Sequence, residues 1–292
     1  MRDISDSNLR IASLVPSLTE LIVALGLGPR LVARTGFCIH PAAALAGVAK
    51  VGGTKTVNLD KLRRLAPTHV IVNLDENRVD DVEAMRGWGA AAPTVVATHP
   101  IDVEDNLALV EQLATVFGEV AGVAARAAAL ADAMRRELAL TEPVDRPPVL
   151  VLYLIWHGPW MTVCRDTYIS RMLARVNWQT LPDAEGGRTG AGRYPHLRGD
   201  ESWLGDVDRV LLSSEPFAFD DRHAAEAQAM CPGARLERVD GELLSWYGSR
   251  AIAGLGYLRR LAGDNRIPAV PGFAEPMNNE PACPAAPGGA RQ

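Results

Sequence analysis

The stretch Arg10–Val15, RIASLV, and the residues that follow it decide the fold. RIASLV is short, partly β-branched and stopped by Pro16, as is typical of a buried β-strand. The next four residues, SLTE, have the pattern of a capping box, in which Ser17 and Glu20 cap the first amides of a helix. Apolar residues then recur on one helical face until Gly26. The order is therefore strand, tight turn and amphipathic helix.

The same alternation of strands and helices continues to Gly118 and starts again at Val149. It predicts largely parallel α/β sheets. Between the two runs lies an alanine-rich segment with a continuous apolar stripe, predicted to be one helix of roughly 30 Å. We therefore predict an α/β fold of two Rossmann-like lobes with mostly parallel sheets, joined by one long α-helix. The predicted boundaries are 1–118 for the first lobe, 119–140 for the helix, 141–266 for the second lobe and 267–292 for a disordered tail.

Composition excludes several classes of protein. The 292 residues are 48% apolar and 22% charged, which is typical of a folded globular protein. The net charge of −5 gives no general attraction to nucleic acid. No apolar run reaches the ~18 residues of a membrane span. The first ten residues, MRDISDSNLR, lack the apolar core of a signal peptide, so we expect a cytoplasmic protein as encoded, or a periplasmic one if the true start lies upstream.

Motifs for catalysis and for cofactors do not fit. GGTK at Gly52 lacks the spacing of a phosphate-binding loop, and Gly26-Leu27-Gly28 follows a helix instead of preceding one. The sequence contains neither a G-x-S-x-G elbow nor an H-E-x-x-H zinc motif. The four cysteines are far apart, which disfavours a zinc site or a disulfide scaffold. We expect a protein that is not an enzyme and that has no catalytic cofactor or metal.

Unusual residues follow several predicted strands. Ligands of parallel α/β sheets bind at the carboxyl ends of the strands. Tryptophans gather in loops of the second lobe, where each could pack against its core and where together they favour an aromatic cleft between the lobes. The predicted ligand-binding residues are Pro16, Ser17, Phe37, His40, Asn73, Trp156, Trp160, Trp246 and Tyr247.

The segments RIASLVPSLTELIVALGLGPRLVART and KVGGTKTVNLDKLRRLAPTHVIV, with His40-Pro41 between them, resemble the class III, helical-backbone substrate-binding proteins of ABC importers. This family includes cobalamin and ferric-siderophore receptors, and the resemblance runs from about Arg10 to about Ala262. It implies two lobes bridged by one stiff helix, with a bulky metal chelate bound between them. The cobalamin-binding branch is the most similar, mainly through the N-terminal half.

The resemblance also locates departures. An aromatic residue of the cobalamin receptors is matched by Phe37, but two of their tryptophans are matched by Thr54 and Asn73. A corrinoid would therefore stack on Phe37 and on tryptophans of the second lobe. His40 could be an axial ligand of cobalt, with Cys38 as a softer candidate, or His40 could make an ordinary hydrogen bond.

The family resemblance further implies a partner. Its members dock on an ABC permease through one acidic residue on each lobe, and these positions are matched by Asp60 and Glu201. Each acid could equally oppose the dipole of a helix N-terminus. A small-molecule chelate and a permease are thus the expected partners, and nucleic acid is not.

Two alternatives stay open. The first is a ferric-siderophore or haem-binding protein, because a glycine-rich segment carries Arg188, Arg193 and Tyr194, which suit anionic chelates. The second is a cytosolic α/β enzyme of unknown reaction on the same scaffold. Its acid–base residues would be Asp75, Glu76, Arg78 and His157.

Overall fold

Two separate parallel sheets form the framework of the structure, a computed structural model that describes residues 8–141, 147–187 and 190–263. The first sheet contains β1 (Ile11–Ser13), β2 (Leu31–Arg34), β3 (Ala49–Lys50), β4 (His69–Asn73) and β5 (Thr94–Thr98), in the order β3-β2-β1-β4-β5. The second contains β6 (Val149–Leu154), β7 (Trp178–Thr180), β8 (Arg209–Ser213) and β9 (Arg235–Val239), in the order β7-β6-β8-β9. The pairs within both sheets are parallel, so the predicted fold class is confirmed.

Helices connect and cover these strands. The first lobe contains α1 (Pro16–Ala24), α2 (Ala42–Leu45), α3 (Leu59–Arg64), α4 (Val79–Arg86) and α5 (Asp105–Phe117). The connecting helix is α6 (Val123–Leu140). The second lobe contains α7 (Tyr168–Ala174), α8 (Asp221–Met230), α9 (Gly241–Ser245) and α10 (Arg250–Leu261).

The start of α1 differs from its prediction. Its N-cap residue is Val15, which makes no side-chain cap, and Pro16 occupies the first turn. Proline suits this position because its missing amide would have no partner there. The predicted capping box of Ser17 and Glu20 is therefore wrong. The Glu20 carboxylate instead accepts a hydrogen bond from Arg250 Nε at 2.7 Å, a residue of the second lobe.

The connecting helix begins at Val123, four residues later than predicted, because Gly122 adopts a left-handed conformation with φ of 83°. It packs on α5 on one side and on α10 on the other. A buried ion pair joins it to the second lobe, with 2.9 Å between Glu137 Oε2 and Arg259 Nη2. The helix thus contacts both lobes along its length.

One hydrophobic core runs through both lobes. It includes Leu21 of α1, Leu113 of α5, Met134 of α6, Tyr153 of β6 and Leu255 of α10. The opposite face of each sheet has a core of its own, beneath α3 and α4 in the first lobe and beneath α8 in the second. Because the central core is shared, separating the lobes would expose apolar surface, which opposes wide opening.

Within the described residues, none of the helices has the length and apolar character that crossing a membrane requires. The predicted disordered tail, 267–292, lies outside the described residues. The predicted domain boundaries stay predictions.

Candidate functional site

Exposed apolar side chains mark the facing ends of the two sheets. Six large apolar side chains are exposed within the described residues, and four of them follow the carboxyl ends of strands. Phe37 and Ile39 follow β2, and Leu74 follows β4; we call these three the N-lobe lip. Trp156 follows β6 and is 40% exposed. Exposed apolar surface at strand ends is typical of a ligand-binding cleft.

Polar contacts beside these side chains show that the two strand ends face each other. His40, in the loop of Phe37, approaches Glu242 of α9, with 3.3 Å between Nε2 and Oε2. Asp75, next to Leu74, accepts from Arg193 Nη1 at 2.6 Å. The loops that carry the N-lobe lip therefore meet the loops of the second lobe, and we call the region where they meet the candidate cleft.

A buried guanidinium shapes the loop of Phe37. Arg34 Nη1 donates to the carbonyl of Cys38 at 2.8 Å, and Nη2 donates to the carbonyl of Leu45 at 3.4 Å. The Cys38 thiol points inward, where it contacts the Thr35 hydroxyl, and burial raises its pKa. Since Cys38 faces inward, its neighbour Phe37 faces outward and is 64% exposed.

The loop after β4 is held by its own asparagines. Asn73 is buried, and its side-chain oxygen accepts from the amides of Asp75 and Glu76 at 2.8 and 3.2 Å. Asn77 donates to the carbonyl of Thr54 at 3.1 Å. Asn73 thus shapes the loop and offers little surface to a ligand, and the Thr54 backbone is tied to the same loop.

An aromatic cluster surrounds Trp156 on the second lobe. The ring of Phe217 lies 5.3 Å from that of Trp156, and His157 lies 4.5 Å from Trp160 and 4.6 Å from His223. His157 also pairs with Glu226 of α8, with 3.0 Å between Nε2 and Oε2. Trp160 is partly buried against the outer core of this lobe, so Trp156 is the tryptophan of the cluster that presents most surface. We define the aromatic cluster as Trp156, His157, Trp160, Phe217, Phe219 and His223.

Trp246 and Tyr247 lie between the lobes but are buried. Trp246 Nε1 donates to Glu215 Oε1 at 2.6 Å, and the Tyr247 hydroxyl donates to Glu76 Oε1 at 2.6 Å. Burial, together with the nearby Glu242 carboxylate, raises the pKa of Glu215 to about 7. Burial also raises the pKa of Glu76. These side chains form a packed floor between the lobes, in which the buried Trp246 and Tyr247 present little ring surface.

The second lobe covers the start of α1. Ser17 is buried, and Gly248 approaches so closely that an added Cβ would lie 3.6 Å from the Ser17 carbonyl oxygen and 3.2 Å from Leu21 Cβ. The Ser17 hydroxyl faces the Tyr247 phenol. Pro16 is partly exposed but has no amide hydrogen to donate. The helix end is therefore packed against protein.

His40 makes a contact that its axial-ligand prediction left out. The hydrogen bond with Glu242 is the main cause that raises the pKa of His40. Its ring also contacts that of Trp246 in an edge-to-face arrangement, with 5.8 Å between the ring centroids. In the described part of the chain, no group of three or more His, Cys, Asp or Glu side chains is arranged to hold a metal ion.

The residues predicted for the two alternatives are only partly brought together. Arg193 is buried and pairs with Asp75 and Asp166, and burial raises the pKa of Tyr194 to about 12. Arg188 lies outside the described residues. Asp75 and Glu76 are adjacent, but exposed Arg78 pairs with Asp80 and His157 belongs to the aromatic cluster. The four residues predicted for acid–base chemistry therefore do not form one constellation.

The two predicted docking acids differ in their surroundings. Asp60 is exposed in the first turn of α3, whose N-cap is the side chain of Asn58. Glu201 accepts hydrogen bonds from the backbone amides of Arg198 and Gly199 at 2.7 and 2.9 Å. These bonds lower its pKa against the opposing effect of burial. Glu201 thus supports its own turn, whereas Asp60 projects into solvent.

Comparison with known proteins places this arrangement in a family. The family model described as periplasmic binding protein matches residues 11–195. The chain belongs to the periplasmic binding protein family. In this periplasmic binding protein, the predicted class of binding proteins is therefore confirmed, and the match covers the first lobe, the connecting helix and the start of the second lobe.

Individual relatives are more distant. An uncharacterised ABC transporter substrate-binding lipoprotein of Bacillus subtilis is 24% identical over 263 residues, covering 84% of this chain and 77% of its own. A vitamin B12-binding protein of Vibrio vulnificus is 30% identical over 103 residues, covering 35% of this chain and 37% of its own.

Solved structures share the whole fold. The periplasmic vitamin B12-binding protein of Vibrio cholerae superposes with a TM-score of 0.70 at 18% identity, covering 87% of this chain and 97% of its own. A periplasmic heme-binding protein of a Roseiflexus species reaches a TM-score of 0.69 at 20% identity, covering 88% and 98%. At these identities the likeness establishes the fold and leaves the ligand to the side chains of the cleft.

Several contacts of the cleft could not be read from the sequence. Ile39 and Leu74 carry exposed apolar surface, but in the sequence their residue types are the same as those of the core. Phe217 follows a strand, and its position in a Glu-Pro-Phe turn was the only signal for its role. The pairs Arg193–Asp75 and Arg250–Glu20 join residues that are far apart in the sequence, which no local pattern predicts.

Proposed function

We propose that this protein binds a flat metal macrocycle, a corrinoid in the first place, between the N-lobe lip and the aromatic cluster, and that it does so without transforming it. The observation that supports this most is the pair of exposed rings, Phe37 and Trp156, on strand-end loops of the first and the second lobe. Both rings lie at carboxyl ends of parallel strands, where ligands of such sheets bind. Two exposed aromatic rings at the strand ends of two adjoining lobes suit a large planar apolar ligand.

Charge supports a corrinoid over anionic chelates. Haem carries propionates and ferric catecholates are anionic, so either would need cations that are available to it. Three cations near the cleft already bind protein oxygens: Lys55 donates to the Asp75 carbonyl, Arg193 pairs with Asp75 and Asp166, and Arg250 pairs with Glu20 and Glu242. A corrinoid with amide side chains needs no such partner, because amides both donate and accept hydrogen bonds.

Delivery to an ABC permease is part of the proposal. The family and the relatives named as ABC transporter or periplasmic binding proteins support it. Docking would use Asp60 on the first lobe and, with a second role in its own turn, Glu201 on the second lobe. The same relatives favour an extracytoplasmic location over the cytoplasmic one that we predicted from the first residues.

The test is an equilibrium titration of the full chain with four probes: cobinamide, cyanocobalamin, haemin and an iron(III) tricatecholate. We expect one-to-one binding of cobinamide or cyanocobalamin, seen as a change in the visible corrin bands. At 100 times its Kd, a ligand that binds only the folded protein stabilises it by about 2.7 kcal/mol. For lobes of this size, that shift raises the thermal midpoint by roughly 5–10 °C.

Trp88→Ala is the matched control. Trp88 packs under Arg63 and lies between α4 and β5, toward the amino ends of the strands and away from the loops that carry Phe37 and Leu74. Its loss should leave every ligand affinity unchanged. Tighter binding of haemin than of both corrinoids would replace the proposed ligand class, and an absence of any binding among the four probes would remove it.

A further inference from the structure

Arg250 has a position that is unusual for an arginine. Its side chain is 4% exposed at the boundary between the lobes. Nε lies 2.7 Å from Glu20 Oε2 of α1, and Nη1 lies 2.7 Å from Glu242 Oε2 of α9. The guanidinium also stacks on the ring of Trp246, 4.6 Å from its centroid. One side chain therefore joins a helix of the first lobe to a helix and an aromatic ring of the second.

The geometry of this contact matters more than its contribution to stability. A buried ion pair gains little net free energy over apolar packing, because its charges are removed from water. A guanidinium is planar, however, and its donors point in fixed directions toward two carboxylates. Arg250 thus restricts both the distance and the angle at which α1 can lie against α9.

The same contacts reach the cleft. Glu242 also pairs with His40, which lies three residues after Phe37 in the same loop. Trp246 has three such partners: Arg250 over its ring, the His40 ring in an edge-to-face contact and Glu215 at its indole nitrogen. A shift of α1 against α10 would therefore change both the floor of the cleft and the distance between Phe37 and Trp156.

We propose that Arg250 is a positioning residue that sets the separation of the two lobes, and with it the width of the ligand cleft. Arg250 does not need to touch the ligand for this role. The inference concerns the arrangement of the lobes and holds for whichever ligand occupies the cleft, so it goes beyond the function proposed above and only its ligand measurement rests on that proposal.

The chain offers a matched control in Arg209. Its guanidinium stacks on Trp178 at 4.7 Å and pairs with Glu237. All three residues belong to strands of the second sheet, Trp178 to β7, Arg209 to β8 and Glu237 to β9. Arg209 thus makes the same kinds of contact as Arg250, but within one lobe.

The test measures the separation of the lobes without ligand. Spin labels are attached at Ala84→Cys on α4 and Ala225→Cys on α8, two exposed helical positions. Cys283 is replaced by serine, and the three described cysteines are buried. Distance distributions from pulsed electron paramagnetic resonance are then compared for wild type, Arg250→Gln, Glu20→Gln and Arg209→Gln.

We expect a broader and displaced distribution in Arg250→Gln and Glu20→Gln, and the wild-type distribution in Arg209→Gln even where its thermal midpoint falls as far. Glu20→Gln keeps the shape of the side chain and serves if Arg250→Gln does not fold. With cobinamide as the probe, we expect at least tenfold weaker binding for both cleft variants and none of this loss for Arg209→Gln. An unchanged distribution in Glu20→Gln would overturn the inference. If the distances change in the variants but wild type does not bind cobinamide, the role of Arg250 is retained and the proposed ligand is rejected.

Discussion

The two sides of the cleft are built on the same plan of parallel strands followed by loops, yet they expose apolar surface in different ways. On the first lobe, a buried arginine and a buried thiol hold the loop from inside, so that Phe37 projects almost alone. On the second lobe, Trp156 packs against Phe217, one of a group of rings that contact one another. The N-lobe lip therefore depends on hydrogen bonds to its backbone, and the aromatic cluster depends on ring packing. Substitution of the exposed ring should affect binding alone in the N-lobe lip, and both binding and stability in the aromatic cluster.

The largest effect is expected at Arg34, which is buried beneath the loop that carries Phe37. Arg34→Met removes the donors to the carbonyls of Cys38 and Leu45. It leaves the buried Cys38 carbonyl without this hydrogen bond, whereas the Leu45 carbonyl still accepts from the Val48 amide. We expect a loss of about 3 kcal/mol in the free energy of unfolding, together with loss of ligand binding. Urea unfolding and a cobinamide titration measure both. Arg64→Met, at an exposed position of α3, should change neither. A variant of Arg34 with wild-type stability would show that the loop does not depend on its polar interior.

The next effect concerns Glu215, in the packed floor between the N-lobe lip and the aromatic cluster. Glu215→Gln replaces a carboxyl whose pKa burial raises to about 7. A raised pKa in the folded state means that this group stabilises the fold fully below its usual pKa of 4.5, and that the contribution is lost as the pH rises through 7. We expect the free energy of unfolding of wild type to fall by about 2–3 kcal/mol more than that of the variant between pH 4.5 and 8. Chemical unfolding across this pH range measures it, and parallel pH profiles would contradict it.

Substitution of the two exposed rings should then distinguish the N-lobe lip from the aromatic cluster. Phe37→Ala and Trp156→Ala should each weaken cobinamide binding about tenfold, because each removes one stacking surface worth about 1–1.5 kcal/mol. Phe37→Ala should leave the unfolding free energy within about 0.5 kcal/mol of wild type, whereas Trp156→Ala should lower it by about 1 kcal/mol by opening a gap beside Phe217. Equal stabilities of the two variants would contradict this difference between the N-lobe lip and the aromatic cluster.

The smallest effect concerns the two predicted docking acids. Glu201→Gln weakens the caps on the amides of Arg198 and Gly199, so we expect a loss of about 0.5–1 kcal/mol in the free energy of unfolding. Asp60→Asn, at an exposed position, should leave stability and cobinamide affinity unchanged. Thermal unfolding of both variants compares them. A larger loss for Asp60→Asn than for Glu201→Gln would reverse the assignment of a structural role to Glu201.

Much of the fold could be predicted because its signals are local. Apolar runs such as His69–Asn73 became strands in place, and the stripe of the connecting helix became α6 with a start displaced by Gly122. The strands β3 and β7 are only two and three residues long, too short for a periodic pattern. Local reasoning also failed at Glu20, since its real partner is 230 residues away in the sequence.

The candidate site was harder to predict because exposure is a property of the assembled chain. Phe37 and Trp156 were predicted as ligand contacts and present open surface, whereas Trp246, an equally plausible tryptophan by sequence, is buried under Arg250. Asn73 was placed at the correct strand end, but its side chain serves the backbone of its own loop. A strand end can thus be found from the sequence, while the direction of each side chain there depends on contacts with the other lobe.

The most direct test is the affinity of cobinamide for wild type, for the double variant Phe37→Ala/Trp156→Ala and for the control Trp88→Ala, measured by calorimetry under one set of conditions. If a planar chelate is held between the N-lobe lip and the aromatic cluster, wild type and the control bind one molecule with equal affinity, and the double variant binds about 100-fold more weakly. Equal binding by the double variant and wild type would contradict a cleft in which these two rings hold the ligand.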